Sequence, residues 1–151
     1  MLDNTCVMQV NVRVNGESES ATKLNLQSGK FRMIIDEPAD MGGTDEGPSP
    51  VQVLLMALAG CLNVTGHYVA KERGLELLKM GIQIDGMMNP CNFMGCSFEE
   101  RAGFQKIRVN IKPQFANDVS KKQIDAWIEE TEARCPVTDN IKKDTEIVIV
   151  Q

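Results

Sequence analysis

Aromatic side chains are scarce in this chain: they make up 5% of its 151 residues, with one Trp and one Tyr. That leaves little from which to build a platform for stacking bases. Basic charge is also short, with 16 Lys and Arg against 21 Asp and Glu and a formal net charge of −5. Binding a phosphate backbone needs a basic face, so nucleic acid is excluded as the main partner. The N-terminal stretch MLDNTCVMQVNVRV has no basic region leading into an apolar core and does not read as a secretory signal. Val53–Leu62, the longest apolar stretch, is about half of what a membrane span needs. These absences lead to the expectation of a soluble, cytoplasmic protein with no membrane partner. At 42% hydrophobic and 25% charged the composition is that of a globular chain, and the length suits a single domain over residues 1–151.

Cysteine is present, but as an odd set of five at irregular spacings: Cys6, Cys61, Cys91, Cys96 and Cys135. In a reducing compartment such a set points to free thiols, catalytic thiols or metal ligands rather than a disulfide framework.

Three alternating runs open the chain. Met8, Val10, Val12 and Val14 alternate with polar residues, Leu24 and Leu26 do the same, and Phe31, Met33 and Ile35 follow. This period of two predicts three strands of an antiparallel meander, with Asn15-Gly16 and Ser28-Gly29 as the turns. Residues 36–49 carry three Gly, two Pro and five acidic side chains, the composition of an exposed, mobile loop. The acidic stretch Asp36–Glu46 is placed to gate a pocket, although solvated acids are its ordinary explanation. Ser49 then suits an N-cap and Pro50 the first helical position. Gly74 suits the position just past the C-terminus.

Between Val51 and Leu62 the only polar side chains are Gln52 and Cys61. A helix apolar on every face has to be covered on every face, and a chain of this size has little with which to enclose a rod of about 36 Å. The expectation is a homodimer in which this helix packs on its symmetry mate. Further strands are predicted around Ile82–Asp85, at Ile107–Ile111 and at Ile147–Val150. A second helix is predicted over about Asp118–Arg134, with Ile124, Trp127, Ile128 and Thr131 on one face. The order βββ-α-ββ-α-β, with strands and helices segregated, indicates the α+β class.

Cys61 lies in the middle of the apolar helix, where burial ordinarily makes a thiol inert. Cys135 ends the second helix and precedes Pro136, which disfavours helical conformation at residue 135. If Pro136 opens a new turn, the Cys135 thiol lies at its start, where a thiolate is favoured.

With these residues in view the sequence resembles the OsmC/Ohr superfamily of osmotically inducible and organic hydroperoxide resistance proteins. The matching pieces are GPSPVQVLLMALAGC, VAKERGLEL and ARCPV. The resemblance implies an intertwined α+β homodimer with two long central helices and active sites at the subunit interface. It also implies a thiol peroxidase: Cys61 as the peroxidatic cysteine attacks an organic hydroperoxide, Cys135 resolves the sulfenic acid as a disulfide, and an external dithiol restores both thiols. Such a cycle needs no metal and no cofactor. The sequence departs from the pattern at the helix start. In the Ohr branch a Glu follows the proline and pairs with an Arg from the N-terminal strands; here that residue is Val51, and where a related branch has its Glu one position later this chain has Gln52. Lys23, Arg13 and Arg32 are the candidate cations for the Cys61 thiolate, and each also fits a surface strand position. The missing carboxylate keeps a second reading open, a catalytically weak relative that binds a small lipophilic ligand in the interface pocket.

Other features have plainer explanations. Met87, Met88, Cys91, Met94 and Cys96 are soft enough for Cu(I), but Cys-x4-Cys without a second pair is a weak ligand pattern. A packed loop, or a Cys91–Cys96 disulfide in oxidised protein, accounts for them. His67 falls about 240° round the helix from Cys61, which disfavours it as a base. Tyr68 shares the face of Cys61 and suits pocket lining or dimer packing. Asp139 and Asn140 suit a turn, and Cys6 is incidental.

Overall fold

The computed structural model describes residues 8–150 and forms two compact units that meet in sequence between Val53 and Leu54. The chain order is β1 (Asn15–Ser18), β2 (Leu24–Ser28), β3 (Phe31–Ile35), a 3-10 turn (Ala39–Met41), α1 (Pro50–Glu72), β4 (Leu77–Met87), α2 (Cys91–Met94), β5 (Lys106–Phe115), α3 (Lys121–Arg134) and α4 (Pro136–Lys142). The class is α+β, as the segregation of strands and helices indicates.

In the first unit β1, β2 and β3 form an antiparallel sheet in that order. Leu24 stands opposite Ile35 and Leu26 opposite Met33, so the two alternating runs share one face. Gly29, at a φ of 57°, supplies the left-handed conformation that the β2–β3 turn needs. The first strand sits later than the alternation predicts. Met8–Val14 is not strand; its apolar side chains are exposed and find no partner surface, and β1 begins at Asn15, the residue expected to turn. Gly16 permits this, because a Cβ there would lie 2.9 Å from Leu26 Cδ2.

The acidic loop is also more ordered than its composition suggests. Asp36 is fully buried and its carboxylate accepts hydrogen bonds from the N–H groups of Glu37 (2.8 Å), Thr44 (2.9 Å) and Glu46 (3.3 Å) and from the Thr44 hydroxyl (2.7 Å). The Thr44 hydroxyl, then the three N–H donors, outweigh the cost of burial and hold the carboxyl well below the usual carboxylate range. One fully buried acid closes a loop whose other four acids are exposed or half-buried.

Helix α1 starts as the sequence predicts. The Ser49 N–H donates to Gln52 Oε1 at 2.8 Å and the Val53 N–H to the Ser49 carbonyl at 3.0 Å, the half of a capping box that Gln at the third position supplies. The helix ends at Gly74, whose φ of 67° is the left-handed C-terminal cap.

The second unit builds its core from α1, the β4–β5 hairpin, α3 and α4. Strands β4 and β5 pair antiparallel with Ile82 opposite Ile111 and Gly86 opposite Ile107. Val69, Ala70 and Trp127 are buried together, with Leu77, Met80, Ile111 and Phe115 against them. The Trp127 indole N–H donates to the Gly66 carbonyl at 2.8 Å, which satisfies the one polar atom the ring brings into the core. Gly66 is required here, since a Cβ would lie 3.1 Å from Met80 Cε and 3.2 Å from Trp127 Cζ2. Leu58, Leu62 and Cys135 form a second buried cluster with Ile82, Ile84, Ile107 and Ile141. Helix α3 begins at Ser120 with a full capping box closed by Gln123.

Apolar surface of this unit stays uncovered on α1 and along the C-terminal run, among other places. On α1 Met56, Val64 and Tyr68 are 56%, 69% and 59% exposed. The run Ile147–Val150, read from sequence as a buried strand, forms no strand and is exposed throughout, with no strand pairing it among the described residues. By length and composition α1 would pass for a membrane span, but its other side is buried in the core just described.

Candidate active site

Cys61 is carried by α1 between Leu58 and Leu62, two buried residues that anchor the helix in the second cluster. Cys135 occupies the single non-helical residue between α3 and α4, with φ −78° and ψ 113°, the extended conformation that the following proline favours. Pro136 does open a new helical turn, and Cys135 is its N-cap: the Cys135 sulfur accepts the Thr138 N–H at 3.5 Å. Cys135 is fully buried and Cys61 half-buried, and Cys61 packs against the buried cluster that holds Cys135.

The environment treats the two sulfurs differently. Burial pushes the Cys61 thiol up, and the neighbouring Cys135 adds to this; the Val137 N–H and the Thr65 hydroxyl act the other way without overcoming it. Cys135 is also penalised by burial. There the Thr138 hydroxyl and N–H, the Cys61 thiol and the Val137 N–H together hold it below the ordinary thiol value. Of the two thiols, Cys135 is therefore the more readily ionised.

A cavity of about 490 Å³ opens in the same unit, lined by Leu58, Leu62, Ile107, Ile128 and Ile141 and reached by Thr138. Its size and lining are those of a small-molecule pocket. At its mouth Lys142 Nζ and Glu132 Oε1 form an ion pair of 2.8 Å.

The remaining candidates have structural roles. Lys23 is 7% exposed and held between Glu19 at 3.3 Å and Glu46 at 3.0 Å. Arg13 and Arg32 are exposed. Gln52, at the position of the family Glu, caps α1. The His67 ring Nδ1 lies 2.9 Å from the Asn63 carbonyl. Tyr68 is exposed, with the Arg134 guanidinium 5.4 Å from its ring centre. Asp139 pairs with Lys143 at 2.5 Å, and the Asn140 amide donates to the Pro136 carbonyl at 2.9 Å. Cys6 lies outside the described residues. Among the described residues no cluster of three or more His, Cys, Asp or Glu is placed to hold a metal ion.

Sequence reasoning missed Thr138 and Thr65, and both had a signal. Thr138 stands at the third position after an N-capping Cys135, where a capping box closes. Thr65 stands four residues after Cys61, one turn along the same helix face.

Comparison with known proteins agrees with this architecture. The family of OsmC-like proteins matches residues 43–150. No curated protein matches the sequence. Among solved structures, the chain is similar to an OsmC-like protein from Mycoplasma pneumoniae, with 20% identity, 89% of each chain covered and a TM-score of 0.74. It is similar to an OsmC-like protein of unknown function from Vibrio cholerae at 7% identity, covering 90% of this chain and 96% of that one, with a TM-score of 0.73. An organic hydroperoxide resistance protein OsmC from Legionella pneumophila matches at 14% identity, 90% and 92% coverage and a TM-score of 0.66. At these identities the structures share the fold, and the family match extends through both cysteine motifs: the chain belongs to the OsmC-like family.

Proposed function

We propose that the protein is a cytoplasmic thiol peroxidase that reduces organic hydroperoxides with Cys61 and Cys135, working as a homodimer. The observation that carries this reading is the packing of Cys61 against the buried cluster of Cys135, beside an apolar cavity. Family membership supports a peroxide-related role, since relatives from Legionella pneumophila and Bacillus subtilis are named as organic hydroperoxide resistance proteins.

In the cycle the Cys135 thiolate takes the Cys61 proton as the Cys61 sulfur attacks the distal peroxide oxygen. The O–O bond breaks, Cys61 becomes a sulfenic acid, and the departing alkoxide takes the proton back from Cys135, giving the alcohol and the Cys135 thiolate. Cys135 then attacks the Cys61 sulfur, a disulfide forms and water leaves. An external dithiol reduces the disulfide and is itself oxidised. The donors on Cys135 supply what the absent helix-start carboxylate does not, a means of keeping one of the two sulfurs ionised. A homodimer gives the exposed apolar face of α1 and the Ile147–Val150 run a surface to cover them.

The test is thiol loss and peptide mapping after one equivalent of cumene hydroperoxide is added to reduced protein. Both Cys61 and Cys135 should vanish within seconds as one disulfide, and Cys135→Ser should leave a dimedone-reactive sulfenic acid on Cys61. A sulfenic acid on Cys135 in the Cys61→Ser chain, with none on Cys61 in the other, would reverse the roles. No reaction over minutes would leave the second reading, a binding protein for a small lipophilic molecule in the apolar cavity, which the amide at Gln52 favours. Sedimentation at micromolar concentration tests the dimer, and a stable monomer would overturn that part.

A further inference from the structure

The connection between β4 and β5 holds a second pair of cysteines that the peroxide cycle does not use. After β4 the chain makes the single turn of α2, reverses at Gly95 with φ 72° and brings Cys96 back over Cys91. The Cys91 carbonyl accepts the Cys96 N–H at 2.9 Å, the Ser97 N–H at 3.3 Å and the Cys96 thiol at 3.4 Å. The turn is braced from outside. The Cys91 N–H donates to Asn89 Oδ1 at 3.0 Å, Asn89 Nδ2 to the Glu100 carboxylate at 2.7 Å, and Asn92 Nδ2 to the Glu100 carbonyl at 2.8 Å. The chain is thus folded so that two free thiols sit side by side, one half-buried and one exposed.

We infer that Cys91 and Cys96 form a second dithiol–disulfide site, facing solvent, that exchanges with small external disulfides and dithiols. Three observations carry it: the reversal at Gly95, the shared Cys91 carbonyl, and the exposure of one sulfur beside the shelter of the other. The Cys96 side chain, then burial, then the nearby Glu100 charge push the Cys91 thiol up. The exposed Cys96 is therefore the entering nucleophile. Its thiolate attacks one sulfur of an external disulfide, a mixed disulfide forms, and the first external thiolate leaves and takes a proton. Cys91, as its thiolate, then attacks the Cys96 sulfur; the intrachain disulfide forms and the second external thiol leaves. Two protein thiols are oxidised and one external disulfide is reduced to two thiols. Ring closure outcompetes the mixed disulfide because the second thiol is already held in place.

This site is independent of the peroxidase reading, and the test separates them. Reduced protein is titrated with glutathione disulfide, the remaining thiols are alkylated, and the tryptic fragment Met80–Arg101, which carries both cysteines, is weighed. The expected product has lost two hydrogens, resists alkylation, reverts with dithiothreitol, and exceeds the glutathione adduct by about tenfold or more. It should form equally in the native chain and in a Cys61→Ser, Cys135→Ser chain. Cys91→Ser should stop at a glutathione adduct on Cys96. A persistent adduct in the chain with both cysteines, two thiols that stay open to alkylation, or closure that is lost with Cys61 and Cys135 would each overturn the inference.

Discussion

The two thiol pairs of this protein are assembled in opposite ways. Cys61 and Cys135 come from α1 and from the α3–α4 junction, and they meet only because the second unit's core holds those elements together. Cys91 and Cys96 meet through a local reversal braced by side chains of the same connection. The first pair is sheltered, is tuned by hydroxyl and amide donors, and lies beside an apolar cavity. The second has one sulfur in solvent. A pair built by tertiary packing can select its substrate through the surrounding walls. A pair built by a turn is open to any small disulfide.

That contrast predicts what should damage one pair and spare the other. The largest effect is expected from Trp127→Ala, which removes the ring under α1 and the hydrogen bond to Gly66. The cost should be about 3–5 kcal/mol of stability, read from the midpoint of urea unfolding. Peroxide turnover should fall with the folded population, while Cys91–Cys96 closure should persist at temperatures where the protein remains folded. Equal loss at both pairs under native conditions would break the distinction between packed and local assembly.

Thr138→Val is expected to act on the first pair alone. It removes a donor that holds the Cys135 thiol down, so the first ionisation of the Cys61–Cys135 pair should move to higher pH. A thiol held below its ordinary value is reactive at lower pH than a free one. Without the hydroxyl, the pH midpoint for alkylating this pair should rise, and its alkylation rate at neutral pH should fall about tenfold for each unit of that rise. The rate at Cys96 should not change. An unchanged pH profile for the buried pair would mean that the backbone donors alone hold the charge.

Gly95→Ala should give the smallest effect and the mirror image. Nothing lies within 4 Å of an added Cβ, but the residue sits at φ 72°. The strain of about 1–2 kcal/mol should lower the yield of the Cys91–Cys96 disulfide several-fold in the glutathione titration. Peroxide reduction should continue unaltered.

The same division governs what could be read in the sequence. The start and end of α1 were legible from Ser49, Pro50 and Gly74, because caps act over a few residues. The face of α3 around Trp127 was legible because burial imposes its period. The meeting of Cys61 and Cys135 came only through the family pattern, since neither residue's neighbours indicate the other. Alternation at Met8–Val14 and the apolar run at Ile147–Val150 promised strands, but a strand needs a neighbour and neither run has one among the described residues. The acidic loop was misjudged for a related reason. Composition counts five acids alike, whereas Asp36 alone is fully buried.

Asp36 has one more consequence. Its carboxyl is held well below the ordinary range in the folded chain, so its stabilising contribution is complete above the pKa of the unfolded carboxyl. That contribution is withdrawn as the pH falls through the folded one. Opening the loop then takes up a proton, which makes the segment between the meander and the long helix an acid-sensitive clasp: fastened at neutrality, and progressively easier to undo as the surroundings sour.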